Sequence, residues 1–404
     1  MIRFLWFFLL ISPAAAQSVS RQSSVVDLPR PTGPFAVGRV SYDWVDPARL
    51  EVLSKVPNTS REIMVYIWYP AGPAKPGAIT APYFPDAEKI DKGPFAQGER
   101  AKFGKSWPLI VSGKVHTHAY ENALVAPGEV RFPLLIFSHG YGWEPFAFTD
   151  QIEGLVSRGY VVATITHTYE VTVTTFPDGR MIPFSEENSP ESHFQSPSEE
   201  KKWEMPRIDV WAGDIRFALD QITRLNRVPD RQAPWSGRVD LGRVGVFGES
   251  FGGAAAARAC ELDQRFKACL NQDGLLADGP IVRYEGGHMP TQPYLYLRGL
   301  PTPDVKTDSK EFKEFNGMID KELQECTRSI QIRARAFDHR TFADVAVLLA
   351  AGNRRETAKA LESLQVIESY TAAFFDQFLN GARDTLLDRE PAKDSGIQIK
   401  RYPR

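Results

Sequence analysis

The sequence predicts an α/β fold built on one mostly parallel central sheet. Two observations carry this prediction. From about residue 130 onward, short apolar runs alternate with segments of helical spacing. In the segment 207–225, apolar residues recur every three or four positions, which gives a helix one buried face. Strands that alternate with helices favour a parallel sheet covered by helices on both faces.

The individual elements follow from the same patterns. Strands are predicted where apolar runs have the length of a buried strand, at 133–138, 160–167, 243–248, 267–271, 294–299 and 329–334. Helices are predicted over 141–159 and 207–225, from residue 251, from about residue 342 and over 355–380.

Two stretches interrupt this alternation. Residues 70–130 are rich in proline, glycine and aromatic residues, and residues 170–206 are polar and turn-rich. Long uncovered loops are uncommon inside compact domains. We therefore expect 170–206 to be a lid-like insertion at the rim of a pocket.

Composition and the N-terminus indicate the class of protein and its destination. The 404 residues are 43% hydrophobic and 24% charged, with a net charge of −2 and interspersed signs, which shows no nucleic-acid-binding pattern. Residues 1–16 resemble a signal peptide, with Arg3, an apolar run and three alanines ending at Ala16. The run is shorter than the roughly 20 residues that span a bilayer. We expect cleavage after Ala16, a secreted or periplasmic protein, and a single catalytic domain over 17–404.

The three cysteines allow two interpretations. An exported protein could form a Cys260–Cys269 disulfide and leave Cys326 free. All three could instead be buried apolar residues. None has the spacing of a metal-binding pair.

The stretch GESFG, residues 248–252, predicts a nucleophile. It fits G-x-S-x-G, with a predicted strand before it and an alanine-rich helix after it. Gly248 and Gly252 are required sterically, because Cβ atoms there would collide with the neighbouring strand and helix. The turn would place Ser250 at a helix N-terminus, where backbone N–H groups favour developing negative charge. We therefore predict Ser250 as the nucleophile of an α/β-hydrolase fold.

A serine hydroxyl needs a base to remove its proton. In this fold the catalytic residues follow the order serine, acid, histidine. His339, after the last predicted strand, is the expected base, and His167, at the end of the second, is its competitor. Asp273 follows the fourth predicted strand and Asp304 follows the fifth. Fold order leaves both carboxylates open as the acid that orients the imidazole.

The segment FSHGYG, which follows the first predicted strand, resembles an oxyanion loop. The expected oxyanion donors are the backbone N–H groups of Tyr141 and Phe251. His139 in this segment is expected to stabilise the core or the loop. His116 and His118 are two residues apart in a loop and would need a third ligand, so no metal and no cofactor are expected.

Several motifs together resemble the plasma-type platelet-activating factor acetylhydrolases and their bacterial relatives. These are FPLLIFSHGYG, RGYVVATITH, DIRFALDQI, GESFGG, NQDG and FDHRTFAD, with GPFAVGRVSYDWVDPAR and REIMVYIWYPA nearer the N-terminus. The resemblance spans about residues 34–380. It implies that Ser250 is the nucleophile, His339 the base and Asp273 rather than Asp304 the acid. It also implies an oxyanion hole at the N–H groups of Tyr141 and Phe251.

The resemblance implies hydrolysis of short-chain acyl esters through a Ser-His-Asp triad and an acyl-enzyme. The expected partner is a small-molecule ester or a short-acyl lipid. Glu249 stands where the vertebrate enzymes carry histidine, and no strongly apolar amphipathic segment stands out. Contact with a membrane surface is therefore expected to be weak, and a soluble ester fits as well as a phospholipid. A polyester or lactone hydrolase, a thioesterase, a metal-dependent hydrolase and a non-catalytic binding protein on this fold stay open as alternatives.

Overall fold

The structure is a computed structural model that describes residues 25–185, 197–227, 233–274, 288–300 and 308–403. The predicted signal peptide over 1–16 lies outside these residues. The strands are β1 (Val26–Asp27), β2 (Ala36–Leu50), β3 (Ser60–Ala71), β4 (Val115–His116), β5 (Ala119–Glu121), β6 (Phe132–Ser138), β7 (Val161–Thr166), β8 (Val173–Thr175), β9 (Met181–Pro183), β10 (Val239–Glu249), β11 (Phe266–Gln272), β12 (Tyr294–Gly299), β13 (Arg328–Ala334) and β14 (Ile397–Pro403). The α-helices are α1 (Ala87–Asp91), α2 (Ala96–Phe103), α3 (Trp107–Val111), α4 (Thr149–Ser157), α5 (Pro197–Arg227), α6 (Phe251–Leu262), α7 (Lys310–Glu325), α8 (Val345–Ala350) and α9 (Arg354–Leu379).

Within the described residues, ten strands form one sheet in the order β14-β13-β12-β11-β10-β6-β7-β3-β2-β5. The six strands from β13 to β7 are all parallel to their neighbours in that run. Antiparallel pairs join β14 to β13, β3 to β7 and β2 to β3. The six parallel strands are the six that the apolar runs predict. The predicted mostly parallel α/β architecture is therefore confirmed.

Helices cover both faces of this sheet and bury a separate apolar core on each. One core packs α4, α8 and α9 against the sheet through residues such as Ile152 and Ile367. The other packs α5, α6 and α7 through residues such as Trp211, Ala255 and Ile319. Burial of apolar surface on both faces explains why the central strands read as continuous apolar runs rather than alternating ones.

Helix α5 begins earlier than the sequence pattern predicts. Its first residue is Pro197, so residues 197–206 of the expected insertion are helical, and Pro206 lies inside the helix. A proline lacks the N–H of a helix hydrogen bond and usually marks a boundary. Here the glutamate- and lysine-rich residues before Pro206 have high helix propensity and form the first turns. Residues 186–196 of the insertion lie outside the described part of the chain.

Two other helices begin later than predicted. Helix α4 begins at Thr149 rather than near residue 141, because a short 3-10 turn precedes it. Helix α8 begins three residues after the predicted position near 342. The Asp344 carboxylate accepts the backbone N–H of Asp150 at 3.3 Å, so the segment before α8 caps α4 instead of starting its own helix.

A disulfide joins Cys260 in α6 to Cys269 in β11, and Cys326 is a buried free cysteine. Of the two interpretations of the cysteines, the structure has the bridged one. The bridge connects the helix that begins after Ser250 to the strand that leads to Asp273. In the described residues, no helix is long and apolar enough to cross a membrane.

Candidate active site

Parallel strands bring the predicted site residues to one edge of the sheet. Tyr141 follows β6, Ser250 follows β10 and Asp273 follows β11, and these three strands are neighbours. His339 lies in the loop after β13, two strands beyond β11. Loops at the carboxyl ends of the strands are where open α/β sheets form their sites.

Ser250 occupies a strained turn between β10 and α6. Its backbone has φ 53° and ψ −123°, a region that non-glycine residues rarely adopt. The Ser250 N–H donates to the carbonyl of Gln272 at 2.8 Å, and the Ser250 carbonyl accepts the N–H of Gly253 at 2.9 Å. These bonds hold the strained residue between the nucleophile strand, its neighbour β11 and the first turn of α6.

Gly248 and Gly252 are required for this turn, as the sequence pattern predicts. A Cβ on Gly248 would lie 2.2 Å from the carbonyl oxygen of Gly252. A Cβ on Gly252 would lie 2.1 Å from the carbonyl oxygen of Ser138 and 2.3 Å from that of His139. Both contacts are with backbone, which cannot move aside as a flexible side chain can. The two glycines therefore let β6, β10 and α6 approach closely around Ser250.

Asp273 and His339 are hydrogen-bonded to each other. The distance from Asp273 Oδ2 to His339 Nδ1 is 2.9 Å. Asp273 has φ 55°, and its N–H donates to the carbonyl of Leu297 at 2.8 Å. The buried side chain of Asn271 accepts the N–H of Gly274 at 2.7 Å and donates to the Gly274 carbonyl at 3.0 Å. Asn271 thus closes the tight loop that presents the Asp273 carboxylate.

The surroundings of His339 favour its protonated form. Burial lowers the pKa of His339, but the hydrogen bond to Asp273 and the charges of Glu249 and Asp273 outweigh it and raise the pKa to about 9. Half of the imidazole side chain is exposed, so water screens part of this effect. A carboxylate on Nδ1 leaves Nε2 as the nitrogen that can take a proton from a serine.

The predicted oxyanion loop lies against the nucleophile. A Cβ on Gly140 would come within 3.2 Å of Ser250 Cβ, which places the start of the loop beside the turn. The N–H of Gly142 donates to the carbonyl of Glu170 at 3.0 Å and fixes the end of the loop. The ring of Tyr141 packs on Phe251, with 5.6 Å between centroids. The two predicted N–H donors thus belong to residues in direct contact, and their role in catalysis stays a prediction.

His167, the competitor for the base, lies in a second arrangement of the same residue types. Its Nε2 is 2.9 Å from Ser138 Oγ and its Nδ1 is 2.8 Å from Asp214 Oδ2, and all three residues are fully buried. Burial lowers the pKa of His167 to about 4 against the opposing effect of Asp214, so the ring is neutral at neutral pH. Asp214 also pairs with Arg61 at 2.6 Å. No substrate can reach this buried Ser138–His167–Asp214 set.

Three other histidines of the described residues have partners elsewhere in the fold. His116 Nδ1 contacts Asp27, His118 Nε2 contacts the Leu28 carbonyl, and the N–H of His288 donates to Glu261. His139 is fully buried, with Nδ1 at 2.8 Å from the Gly140 carbonyl, in agreement with a loop-stabilising role. His193 and Asp304, the competing acid, lie outside the described residues.

Comparison with known proteins identifies the family. Residues 20–351 match the family described as "Platelet-activating factor acetylhydrolase, isoform II". The chain belongs to this family. Its members are esterases, and the chain is accordingly a carboxylic ester hydrolase on the α/β-hydrolase fold, not a non-catalytic binding protein.

Named relatives agree with this assignment. The chain is 27% identical over 399 positions to "Probable 1-alkyl-2-acetylglycerophosphocholine esterase" of Arthroderma benhamiae, with 94% of each chain covered. It is 25% identical to "Platelet-activating factor acetylhydrolase" of Cavia porcellus, over 61% of this chain and 55% of that one. Among solved structures, "Ferulic acid esterase from Streptomyces cinnamoneus" superposes with a TM-score of 0.70 at 28% identity and covers 93% of this chain and 99% of that one.

Sequence reasoning missed how closely Glu249 approaches the base in this acetylhydrolase-family site. Glu249 Oε1 lies 3.6 Å from His339 Nε2, and only 4% of the glutamate side chain is exposed. Glu249 is the last residue of β10. The alternation of side chains along a strand gives the face on which Glu249 lies, but it does not show that the loop of His339 lies next to it. The role of Asn271 was missed as well, although the motif NQDG contains it. Its side chain bonds the backbone of Gly274, three residues on.

No group of three or more metal-ligating side chains with suitable spacing occurs in the described part of the chain. His116 and His118, the pair that a metal-dependent hydrolase would need, instead contact Asp27 and the Leu28 carbonyl separately.

Proposed function

We propose that this esterase uses a Ser250–His339–Asp273 triad and cleaves short-chain acyl esters through an acyl-enzyme. The observation that carries the proposal is the 2.9 Å hydrogen bond between Asp273 and His339 at the edge where Ser250 sits in a strained turn. Strain that surrounding hydrogen bonds maintain is typical of functional residues. The carboxylate holds the imidazole with Nε2 available to the serine.

The proposed reaction has two steps. Ser250 Oγ attacks the ester carbonyl while its proton moves to His339 Nε2, and the N–H groups of Tyr141 and Phe251 stabilise the oxyanion. His339 then gives that proton to the departing alcohol, which leaves Ser250 acylated. Water attacks the acyl-enzyme, His339 takes a water proton, and the proton returns to Ser250 as the acid is released.

The test is hydrolysis of p-nitrophenyl esters from acetate to laurate by the mature protein and by Ser250→Ala. We expect the highest kcat/KM at short chains and a loss of about 10⁴-fold or more in Ser250→Ala. If Ser250→Ala keeps the activity, the nucleophile is wrong. A maximum at laurate would leave the triad intact and overturn the short-chain preference.

An aromatic acyl group is a second candidate substrate, and one observation favours it. The rings of Phe184 and Trp203, both from the predicted insertion 170–206, lie 5.6 and 5.4 Å from that of Tyr141 beside the nucleophile. We propose that this aromatic wall is a pocket rim that stacks on a planar acyl group, in keeping with the likeness to a ferulic acid esterase. Trp203→Ala is then expected to lower kcat/KM for methyl ferulate about three- to tenfold more than that for p-nitrophenyl acetate. Equal losses on both substrates would contradict it.

We further propose that residues 1–16 are removed and that residues 17–404 form a single exported catalytic domain. The Cys260–Cys269 disulfide supports this, because such bonds persist in oxidising compartments. Mass spectrometry of the protein recovered from the periplasm or medium should show Gln17 as the first residue. A cell-associated protein that begins at Met1 would contradict export.

A further inference from the structure

The carboxylate of Glu249 lies beside the reactive nitrogen of His339. Its Oε1 is 3.6 Å from Nε2, and Asp273 Oδ2 is 2.9 Å from Nδ1 on the other side of the ring. The imidazole therefore lies between two carboxylates. Asp273 is on the side that orients the ring, whereas Glu249 is on the side that faces the serine in the proposed mechanism.

The fold makes room for this buried carboxylate. A Cβ on Gly140 would lie 2.2 Å from Glu249 Oε2, so a larger residue in the oxyanion loop would require the glutamate side chain to shift. The Oε2 atom of Glu249 is buried and has no hydrogen-bond partner among the described residues. A buried carboxylate is costly to ionise unless it is paired. Protonated His339 lies within ion-pairing distance of Glu249.

We propose that Glu249 is a positioning residue that forms an ion pair with Nε2 of protonated His339 and thereby sets the pH range in which His339 can act as a base. The inference rests on the proposed triad. In the free enzyme the negative charge of Glu249 stabilises the proton on Nε2. The pair must release this proton to solvent before Nε2 can accept the proton of Ser250.

The charged groups around the pair support this coupling. His339 faces Asp273, Glu249 and the exposed Asp338 of its own loop, all of which raise its pKa against the opposing effect of burial, to about 9. Burial raises the pKa of Glu249 to about 7, with His339 lowering it and Asp273 raising it. Removal of the Glu249 charge should therefore make Nε2 a weaker base that is free at lower pH.

The experiment compares the pH dependence of kcat/KM from pH 5 to 10.5 in the wild type, Glu249→Gln and Asp338→Asn. Glutamine keeps the size of the side chain but not its charge. We expect the midpoint of the rising limb to fall by about one pH unit or more in Glu249→Gln. Asp338→Asn removes an equal charge from the exposed side of the same loop, and we expect a fall of less than about 0.3 unit because water screens it. An unchanged midpoint in Glu249→Gln, or equal shifts in both variants, would overturn the proposal.

A direct titration separates this proposal from the proposed triad. NMR of the His339 ring in Ser250→Ala, with and without Glu249→Gln, reports the histidine pKa without any catalysis. We expect the pKa to fall by about one unit or more when Glu249 is neutralised. If Glu249→Gln folds poorly, Glu249→Asp, which withdraws the carboxylate from Nε2, should give a smaller shift in the same direction. A histidine pKa that is unchanged by both substitutions overturns the proposed ion pair, whereas residual activity of Ser250→Ala overturns only the triad.

Discussion

His339 Nδ1 and Asp273 Oδ2 are 2.9 Å apart although 66 positions separate the two residues in the chain. The contact crosses the end of β12, which lies between the strands that carry the two loops. It joins two loops, one closed by the Asn271 side chain and the other by the turn from Asp338 to Thr341. The orientation of the His339 ring thus depends on the loop after β11 and on the loop after β13.

Replacement of Asp273 tests this relationship. Asp273→Asn should reduce kcat on p-nitrophenyl acetate by about 10⁴-fold, because an amide no longer stabilises the protonated ring or fixes its tautomer. Thermal unfolding monitored in parallel should show a folded protein. A loss below tenfold would contradict Asp273 as the acid and favour Asp304. In that case Asp304→Asn should show the large loss in kcat.

Replacement of Gly252 tests the packing of the nucleophile turn. Gly252→Ala forces a Cβ to within 2.1 Å of the Ser138 carbonyl oxygen. Overpacking of this kind costs about 1–3 kcal/mol and should displace the oxyanion loop, so both stability and kcat should fall. Gly317→Ala in α7 is the matched control, since a Cβ there meets nothing within 4 Å and α-helical alanine is favoured by about 0.5–1 kcal/mol. Urea denaturation that finds the two variants equally stable would contradict the steric argument.

The buried pair of Arg61 and Asp214 should contribute strongly to stability. Asp214 accepts hydrogen bonds from both Arg61 and His167. Burial raises the pKa of Asp214, but the Arg61 charge and the His167 hydrogen bond outweigh it and hold the pKa well below its usual value. Asp214→Asn removes one carboxylate partner of the buried Arg61, which keeps Glu51, and should cost about 3 kcal/mol in the free energy of unfolding. The exposed pair Arg389–Asp384 has a similar 2.9 Å contact, yet Asp384→Asn should change stability little because solvent screens it. Similar losses in chemical denaturation would contradict the role of burial.

Stability should decrease from pH 5 to pH 8 because of buried carboxyl groups near α4. Burial, with the nearby charges of Glu368 and Glu153, raises the pKa of Asp150 to about 8. In the unfolded chain this group ionises near pH 4, so between about pH 4 and pH 8 the folded state binds the extra proton and loses stability as the pH rises. Asp150→Asn should show a smaller decrease between these pH values in urea denaturation. An equal decrease would assign the effect to other groups.

Much of the fold is predictable from residue patterns because burial on both faces leaves a simple signature. The six parallel strands are continuous apolar runs. The turn at Ser250 is marked by glycines at positions where a Cβ atom would collide with neighbouring backbone. The start of α5 was missed because Pro206 is a local signal against a helix, although the residues before it have high helix propensity and Trp203 among them packs on Tyr141.

The candidate site also has features that the sequence predicts and features that it does not. The order of serine, acid and histidine along the chain predicts Asp273 and His339, which are hydrogen-bonded in the structure, and Ser250, the neighbour of the Glu249 that contacts His339. The approach of Glu249 to His339 is different, because it depends on how a loop after β13 folds back over the end of β10, and no local pattern encodes that distance. The separation of His167 from the site likewise follows from its burial under Trp211, whose ring stacks on it at 3.8 Å.

The buried set of Ser138, His167 and Asp214 has a practical consequence for identifying reactive serines. A search by residue type and interatomic distance alone would select these residues readily, since both of their hydrogen bonds are within 3 Å. A fluorophosphonate reagent needs access as well as geometry. It is expected to modify Ser250 and leave Ser138 unmodified, and peptide mass spectrometry would distinguish the two. Unfolding would expose the Ser138 hydroxyl, but it would also break the hydrogen bonds to His167 and Asp214 that make the set resemble an active site.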